Sequence, residues 1–164
     1  MKKGKKIKEL DDWLKNADSH VFDDKGEQKH KSFENVNLDY DFDSISLIDN
    51  TIGTFEFKKN GVQDYVLNKL RKMKVDDISV GIDLHGETVK SAIIQLNTFF
   101  SNAYANNYTF LKIICGKGIN SHDQIPRIKI TSQAFIKRCS IVNAACTAHA
   151  KDGGDGVLKV KIKN

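Results

Sequence analysis

The chain has 164 residues, 40% of them hydrophobic, which suits one ordinary domain with its own core plus an extension. Its formal charge of +5 is unevenly spread: residues 1–8 are net +5, residues 9–50 net −8 and residues 51–164 net +8. Three cysteines, Cys115, Cys139 and Cys146, with no C-x-x-C pair and no Cys/His cluster, argue against a disulfide framework or a zinc site. No apolar run approaches the roughly 20 residues of a membrane span.

Residues 1–50 read as an N-terminal basic and acidic arm, partly flexible. "IKELDDWLKN" spaces Ile7, Leu10 and Leu14 at helical intervals beside Trp13, which predicts a short amphipathic helix. The acidic stretch that follows has isolated aromatics and no sustained period, so single anchors such as Phe33, Tyr40 and Phe42 are expected to pin it. The N-terminus lacks an apolar signal-peptide core. With free thiols suited to a reducing compartment, the expectation is a soluble cytoplasmic protein, away from membranes.

Residues 51–75 read as a lead-in strand and basic helix. Asn60-Gly61 is a turn signal. "VQDYVLNKLRKM" then lines up Val62, Val66, Leu70 and Met73 on one helical stripe, with Lys69, Arg71 and Lys72 elsewhere on the surface. From residue 76 to 164 a compact α/β pattern takes over. "ISVGIDLHG" alternates, with Ile78, Val80, Ile82 and Leu84 on one side and Ser79, Gly81, Asp83 and His85 on the other, the period of a strand. "ETVKSAIIQLNTFFSNAY" carries a helical stripe. "TFLKIICGKG" is an apolar strand ending in glycines, and "PRIKITSQAFIKRC" opens a helix on Pro126, the only proline. "SIVNAACTAHA", the turn "KDGGDG" and the alternating "VLKVKIK" form a terminal hairpin. The order β-α-β-α-β-β predicts a mixed sheet with helices packed on it and a right-handed parallel crossover.

In open α/β sheets ligands bind beyond the carboxyl ends of parallel strands. Two glycine-bearing loops are expected there. In the first, Asp83 and His85 lie two apart and share a face, while Gly86 permits a sharp bend. A histidine titrates near neutral pH and an adjacent aspartate can orient it, which is acid/base chemistry, although a strand-end histidine also serves as a satisfied polar residue. In the second, Gly116 and Gly118 flank Lys117. This fits an anion nest with a point charge, or an ordinary turn, and it lacks the Walker A spacing. His20 and His30 fall in the arm, His122 in a polar loop and His149 at the end of a strand.

With Asp83-Leu84-His85-Gly86, Cys115-Gly116-Lys117-Gly118 and Gly153-Gly154-Asp155-Gly156 in this order, the chain resembles the Smr (small MutS-related) domain family over roughly residues 76–163. That family carries D-L-H-G, [HT]-G-x-G and G-G-x-G motifs in sequence. The upstream segment from about residue 52 is similar to the one preceding the domain in stand-alone bacterial members of the probable DNA endonuclease type. Cys115 departs from the histidine common at that position. The resemblance implies a two-layer α/β sandwich similar to the C-terminal domain of translation initiation factor three. It also implies nucleic-acid binding and endonuclease activity, since some members nick DNA, including branched DNA, and others cut messenger RNA on stalled ribosomes.

The expected function is therefore endonucleolytic cleavage of nucleic acid. His85 would be the general acid/base, with Asp83 as its orienter or a metal ligand. Gly86 would shape the loop, and Lys117 with the N–H groups of Gly116 and Gly118 would hold the phosphate. Lys58, Lys59, Lys69, Arg71, Lys72 and Lys74 would track the nucleic-acid backbone. An RNA substrate carries its own 2′-OH nucleophile and needs no metal; a DNA substrate needs an activated water, chemistry that Mg²⁺ supplies. A ribosome-associated factor that cuts messenger RNA and a binding module that cuts nothing are the alternative readings.

Overall fold

The computed structural model describes residues 32–38, 53–118 and 125–163. The helix expected around residues 7–14, the anchors Tyr40 and Phe42, and His20, His30 and His122 lie outside the described residues. The described elements run β1 (Glu56–Lys58), α1 (Asp64–Lys72), β2 (Val80–Asp83), α2 (Val89–Ala105), β3 (Phe110–Ile114), α3 (Arg127–Arg138), β4 (Val142–Thr147) and β5 (Val157–Ile162).

The five strands form one mixed sheet in the order β1-β4-β5-β3-β2. β2 and β3 pair in parallel across the α2 crossover, and every other pairing is antiparallel. The expected terminal hairpin is present as β4 and β5, and the lead-in strand adds to its free edge.

Alternation along the strands divides the sheet into two faces. Ile82 and Leu84, Leu111 and Ile113, and Leu158, Val160 and Ile162 are buried in one cluster with the apolar sides of α2 and α3. Phe100 of α2 and Phe135 of α3 meet there at a centroid distance of 5.1 Å, which ties the two helices to each other as well as to the sheet. This pair of layers is the expected sandwich. On the opposite face α1 covers part of the sheet by burying Leu67 and Leu70 against Ala144 and Cys146. A register shift between Val142 and Ala144 makes this possible. The extra residue rephases β4, so Val142 and Ala145 face the main core while Ala144 and Cys146 face α1.

Lys159 lies under the C-terminal end of α1 and is fully buried. Its ammonium donates to Arg71 O at 2.9 Å and Met73 O at 2.8 Å, carbonyls that a helix end leaves without intrahelical partners. Residues 32–38 have no regular secondary structure and pack on the helical layer. Val36 and Leu38 are buried in the main core, with Phe33 packed against it. Asn97 of α2 clamps that backbone, accepting from Val36 N at 2.8 Å and donating to Val36 O at 3.1 Å. Of the three expected anchors Phe33 is the one described, and the deeper burial belongs to Val36 and Leu38.

Candidate active site

β2 ends at Asp83, and Leu84 extends the parallel pairing by one residue through its N–H to Ile114 O at 2.7 Å. Leu84 is fully buried, so the backbone is fixed on the core side while its neighbours point away. His85 lies in the turn beyond the strand rather than on the strand itself. The turn folds its ring back onto the acid: Nδ1 is 2.7 Å from Asp83 Oδ1, and the His85 backbone N–H donates to the same oxygen at 3.1 Å. Strand alternation thus starts the pairing and the turn completes it. The Asp83 and His85 side chains are 38% and 72% exposed, so both reach solvent. The hydrogen bond and charge of Asp83 raise the His85 pKa above its ordinary value, and Glu87 adds to the same effect. With Nδ1 directed at the carboxylate, Nε2 is the ring nitrogen left to exchange a proton with a ligand.

The loop also starts α2. Thr88 Oγ1 accepts from Ser91 N at 3.1 Å as the helix N-cap, and Ser91 Oγ donates to Glu87 Oε2 at 2.7 Å. Glu87 is therefore fixed beside His85, a neighbour that the motif alone does not single out.

The second and third glycine loops interlock. The N–H groups of Cys115 and Gly116 both donate to Gly156 O, at 2.8 and 3.2 Å. A Cβ on Gly156 would sit 3.3 Å from Gly116 C, a tight contact that marks how closely the two loops approach. Gly118 turns with φ +71°, and a Cβ on it would lie 2.7 Å from Pro126 Cα, which seats this loop against the start of α3. The Gly116 N–H therefore has a partner within the fold, in Gly156 O. The exposed Lys117 side chain projects from the loop.

Together these loops form a cleft of about 480 Å³ bordered by His85, Glu87, Gly116, Lys117, Pro126 and Arg127. Gly86 and Gly118 also line it. α3 begins here, so the positive end of its helix dipole faces the cleft. Sequence reasoning missed Arg127, and its signal was slight: a basic residue directly after the only proline, at a helix start.

Cys115 is buried, with Sγ 3.4 Å from Ser132 Oγ. Burial pushes its thiol up to about 11, which leaves this position without a proton-transfer role near neutral pH. The three cysteines are free and buried, as expected.

The expected backbone-tracking residues do not gather at this cleft. Lys58 is level with Ala144 and Lys161, towards the opposite end of the sheet from Asp83, and pairs with Asp64 at 2.5 Å. Lys59 donates to Ser140 O at 2.8 Å. Arg71 holds both oxygens of Glu56 at 2.6 Å, a bidentate pair that lowers the Glu56 pKa and raises that of Arg71. Lys69 lies 5.9 Å from the Phe110 ring centroid, and Lys72 and Lys74 are exposed.

Among the described residues no group of three or more His, Cys, Asp or Glu side chains comes together to hold a metal ion, and Asp83 Oδ1 is already engaged twice by His85. Among the same residues no helix is long and apolar enough to cross a membrane.

The Smr domain family model matches residues 82–163, half of the chain, from the last two residues of β2 through the end of β5. The chain belongs to the Smr family. The fold agrees with that of YdaL, a stand-alone small MutS-related protein from Escherichia coli, at a TM-score of 0.60 and 24% identity over 70% of this chain and 89% of that one. Endonuclease NBR9 of Saccharomyces cerevisiae is 33% identical over 88 residues, 54% of this chain and 35% of that protein. Endonuclease MutS2 of Geobacillus kaustophilus is 30% identical over 92 residues, 56% of this chain and 11% of that protein. The matches thus span about a third of NBR9 and about a tenth of MutS2. Both relatives are named as endonucleases, and the Smr domain with these relatives supports a nuclease-type role.

Proposed function

We propose that this Smr protein cleaves phosphodiester bonds within nucleic acid, with His85 as the proton-transfer residue and Asp83 as its positioning partner. The observation that carries this reading is the 2.7 Å His85 Nδ1–Asp83 Oδ1 pair at the mouth of the cleft shared with Lys117 and Arg127. Asp83 holds the ring so that Nε2 of the neutral imidazole can accept a proton from the attacking hydroxyl. The same nitrogen, now protonated, can deliver it to the leaving oxygen. Lys117, Arg127 and the start of α3 balance the charge that builds on the phosphoryl oxygens. Glu87 and Asp83 together keep the imidazolium form stable between the two transfers. The attacking hydroxyl is a water on DNA and the neighbouring 2′-OH on RNA. The nuclease relatives support the reaction class.

Incubation of the protein with labelled DNA and RNA oligonucleotides, with and without EDTA, tests this reading. Internal cuts are expected. On RNA, EDTA-insensitive cuts ending in 2′,3′-cyclic phosphate and 5′-hydroxyl groups would identify attack by the 2′-OH. Tight binding with no cut strand in any condition would contradict the proposal and leave a binding module.

A further inference from the structure

A second cleft of about 510 Å³ opens on the other side of Lys117. Its walls include Thr54 before β1, Thr147 at the end of β4, and Asp155 of the third glycine loop, with the backbones of Ala148 and Gly154. Sheet order explains the arrangement. The His85 cleft lies beyond β2 and β3, and the second cleft lies beyond β5, β4 and β1. Three strand spacings, about 14 Å, separate β2 from β4. Lys117 borders both clefts, so a chain with its phosphate at Lys117 and one side in the His85 cleft would enter the second cleft on the other side.

The chemistry of the second cleft differs from that of the first. Among the described residues no aromatic side chain borders it, so these offer no stacking platform for a base. Thr147 Oγ1 is committed to the backbone, accepting from Phe55 N at 2.8 Å. The Asp155 side chain is 60% exposed and held from behind by Lys129, whose ammonium lies 3.8 Å away. Lys129 is itself buried and anchored by donation to Gly53 O at 2.8 Å. The Asp155 carboxylate thus borders the cleft with a buried cation 3.8 Å from one oxygen. A carboxylate accepts hydrogen bonds and repels phosphate. The sugar–phosphate backbone of DNA has no hydrogen-bond donor to offer it, whereas that of RNA has one in each 2′-OH.

We infer that the second cleft is a ribose subsite, in which Asp155 accepts a hydrogen bond from the 2′-OH of a nucleotide next to the one in the His85 cleft and so favours RNA over DNA. This deepens the nuclease reading and rests on it. Asp155 is a specificity-determining residue in this account, and Lys129 positions it.

The test is equilibrium binding of sequence-matched single-stranded RNA and DNA oligonucleotides to the His85→Ala protein, which keeps the substrate whole. It is repeated with Asp155→Ala and Asp155→Asn added, and with RNA carrying a single 2′-deoxy substitution at each position in turn. A hydrogen bond to a charged group corresponds to roughly a 10- to 100-fold affinity difference. RNA should bind tighter than DNA by about that factor, and one deoxy position should remove most of the advantage. Asp155→Ala should abolish the advantage with DNA affinity unchanged or raised, because a carboxylate near phosphates has been removed. Asp155→Asn, which retains an accepting oxygen, should keep part of it. Equal RNA and DNA affinity in the parent protein, or an RNA advantage that survives Asp155→Ala, overturns this inference alone. Loss of both affinities on Asp155→Ala would assign the residue a structural role and also overturn it. Failure of the parent protein to bind either nucleic acid overturns the nuclease reading together with this one.

Discussion

The loop end of the sheet and the α1 side carry similar residue types arranged to opposite effect. On the α1 side several charges have partners: Arg71 closes on Glu56, Lys58 on Asp64, and Lys159 caps a helix end from below, while Lys72 and Lys74 are exposed. At the loop end Asp83 engages only Nδ1 of the His85 ring, and Lys117 projects from a loop whose backbone is fixed elsewhere. A count of basic residues treats the two regions alike. What separates Arg71 and Lys58 from Lys117 is a carboxylate held within the fold, because a paired cation gains less from a phosphate that must displace its carboxylate.

The largest expected effects fall on the residues that support each region from inside. Leu84→Ala empties a fully buried position between Asp83 and His85 and should cost about 2–5 kcal/mol in denaturant unfolding. Its cleavage rate should recover under conditions that keep it folded. On the other side, Lys159→Met preserves bulk but removes both charge-assisted hydrogen bonds to the end of α1. About 2–3 kcal/mol should be lost, with nucleic-acid affinity retained. Loss of affinity in folded Lys159→Met would show that the α1 side takes part in binding after all.

The next contrast is between two surface cations. Lys117→Ala should weaken binding and reduce the slope of log K against log[salt] by about one contact's worth, roughly 0.9 on duplex DNA or 0.7 on a single strand, without changing the thermal midpoint. Arg71→Ala should leave that slope unchanged, since its guanidinium already holds Glu56. Equal slopes for the two variants would erase the distinction between the regions.

The smallest effect is a shift in titration. Asp83 raises the His85 pKa, so the ring stays protonated to higher pH than a free histidine. The rate limb that requires neutral His85 should therefore rise at lower pH in Asp83→Asn, and an NMR titration of the ring should move the same way. The contribution to stability has the matching sign: the ion pair is fully present below the unfolded-state pKa and fades as pH rises through the raised folded value. Solvent screening at so exposed a pair keeps it small.

Much of this was legible in the sequence where a local period or motif carried the information. Alternation from Ile78 to His85 gave the strand, its buried side and the outward acid and base. The glycine loops were visible as loops, and the order of elements gave the mixed sheet. What was not legible depended on distant partners. The period of α1 marks an apolar stripe but not which face of the sheet receives it, a matter decided by the shift within β4. The Arg71–Glu56 and Lys129–Asp155 pairs join separate elements, so no local pattern shows them, and a buried lysine passed unnoticed on an amphipathic helix. Val36 and Leu38 alternate too briefly to register as a period, and their burial comes from α2 and α3 rather than from any local pattern.

The central claim is that the Asp83–His85 pair performs chemistry rather than merely ending a strand. The most direct measurement is the single-turnover cleavage rate of His85→Ala on the oligonucleotide that the wild-type protein cuts, with thermal midpoint and affinity measured on the same preparation. Loss of a positioned acid/base should lower the rate by about 10²–10⁴-fold while fold and binding stay as they are. Wild-type cleavage by a folded His85→Ala protein would contradict the account.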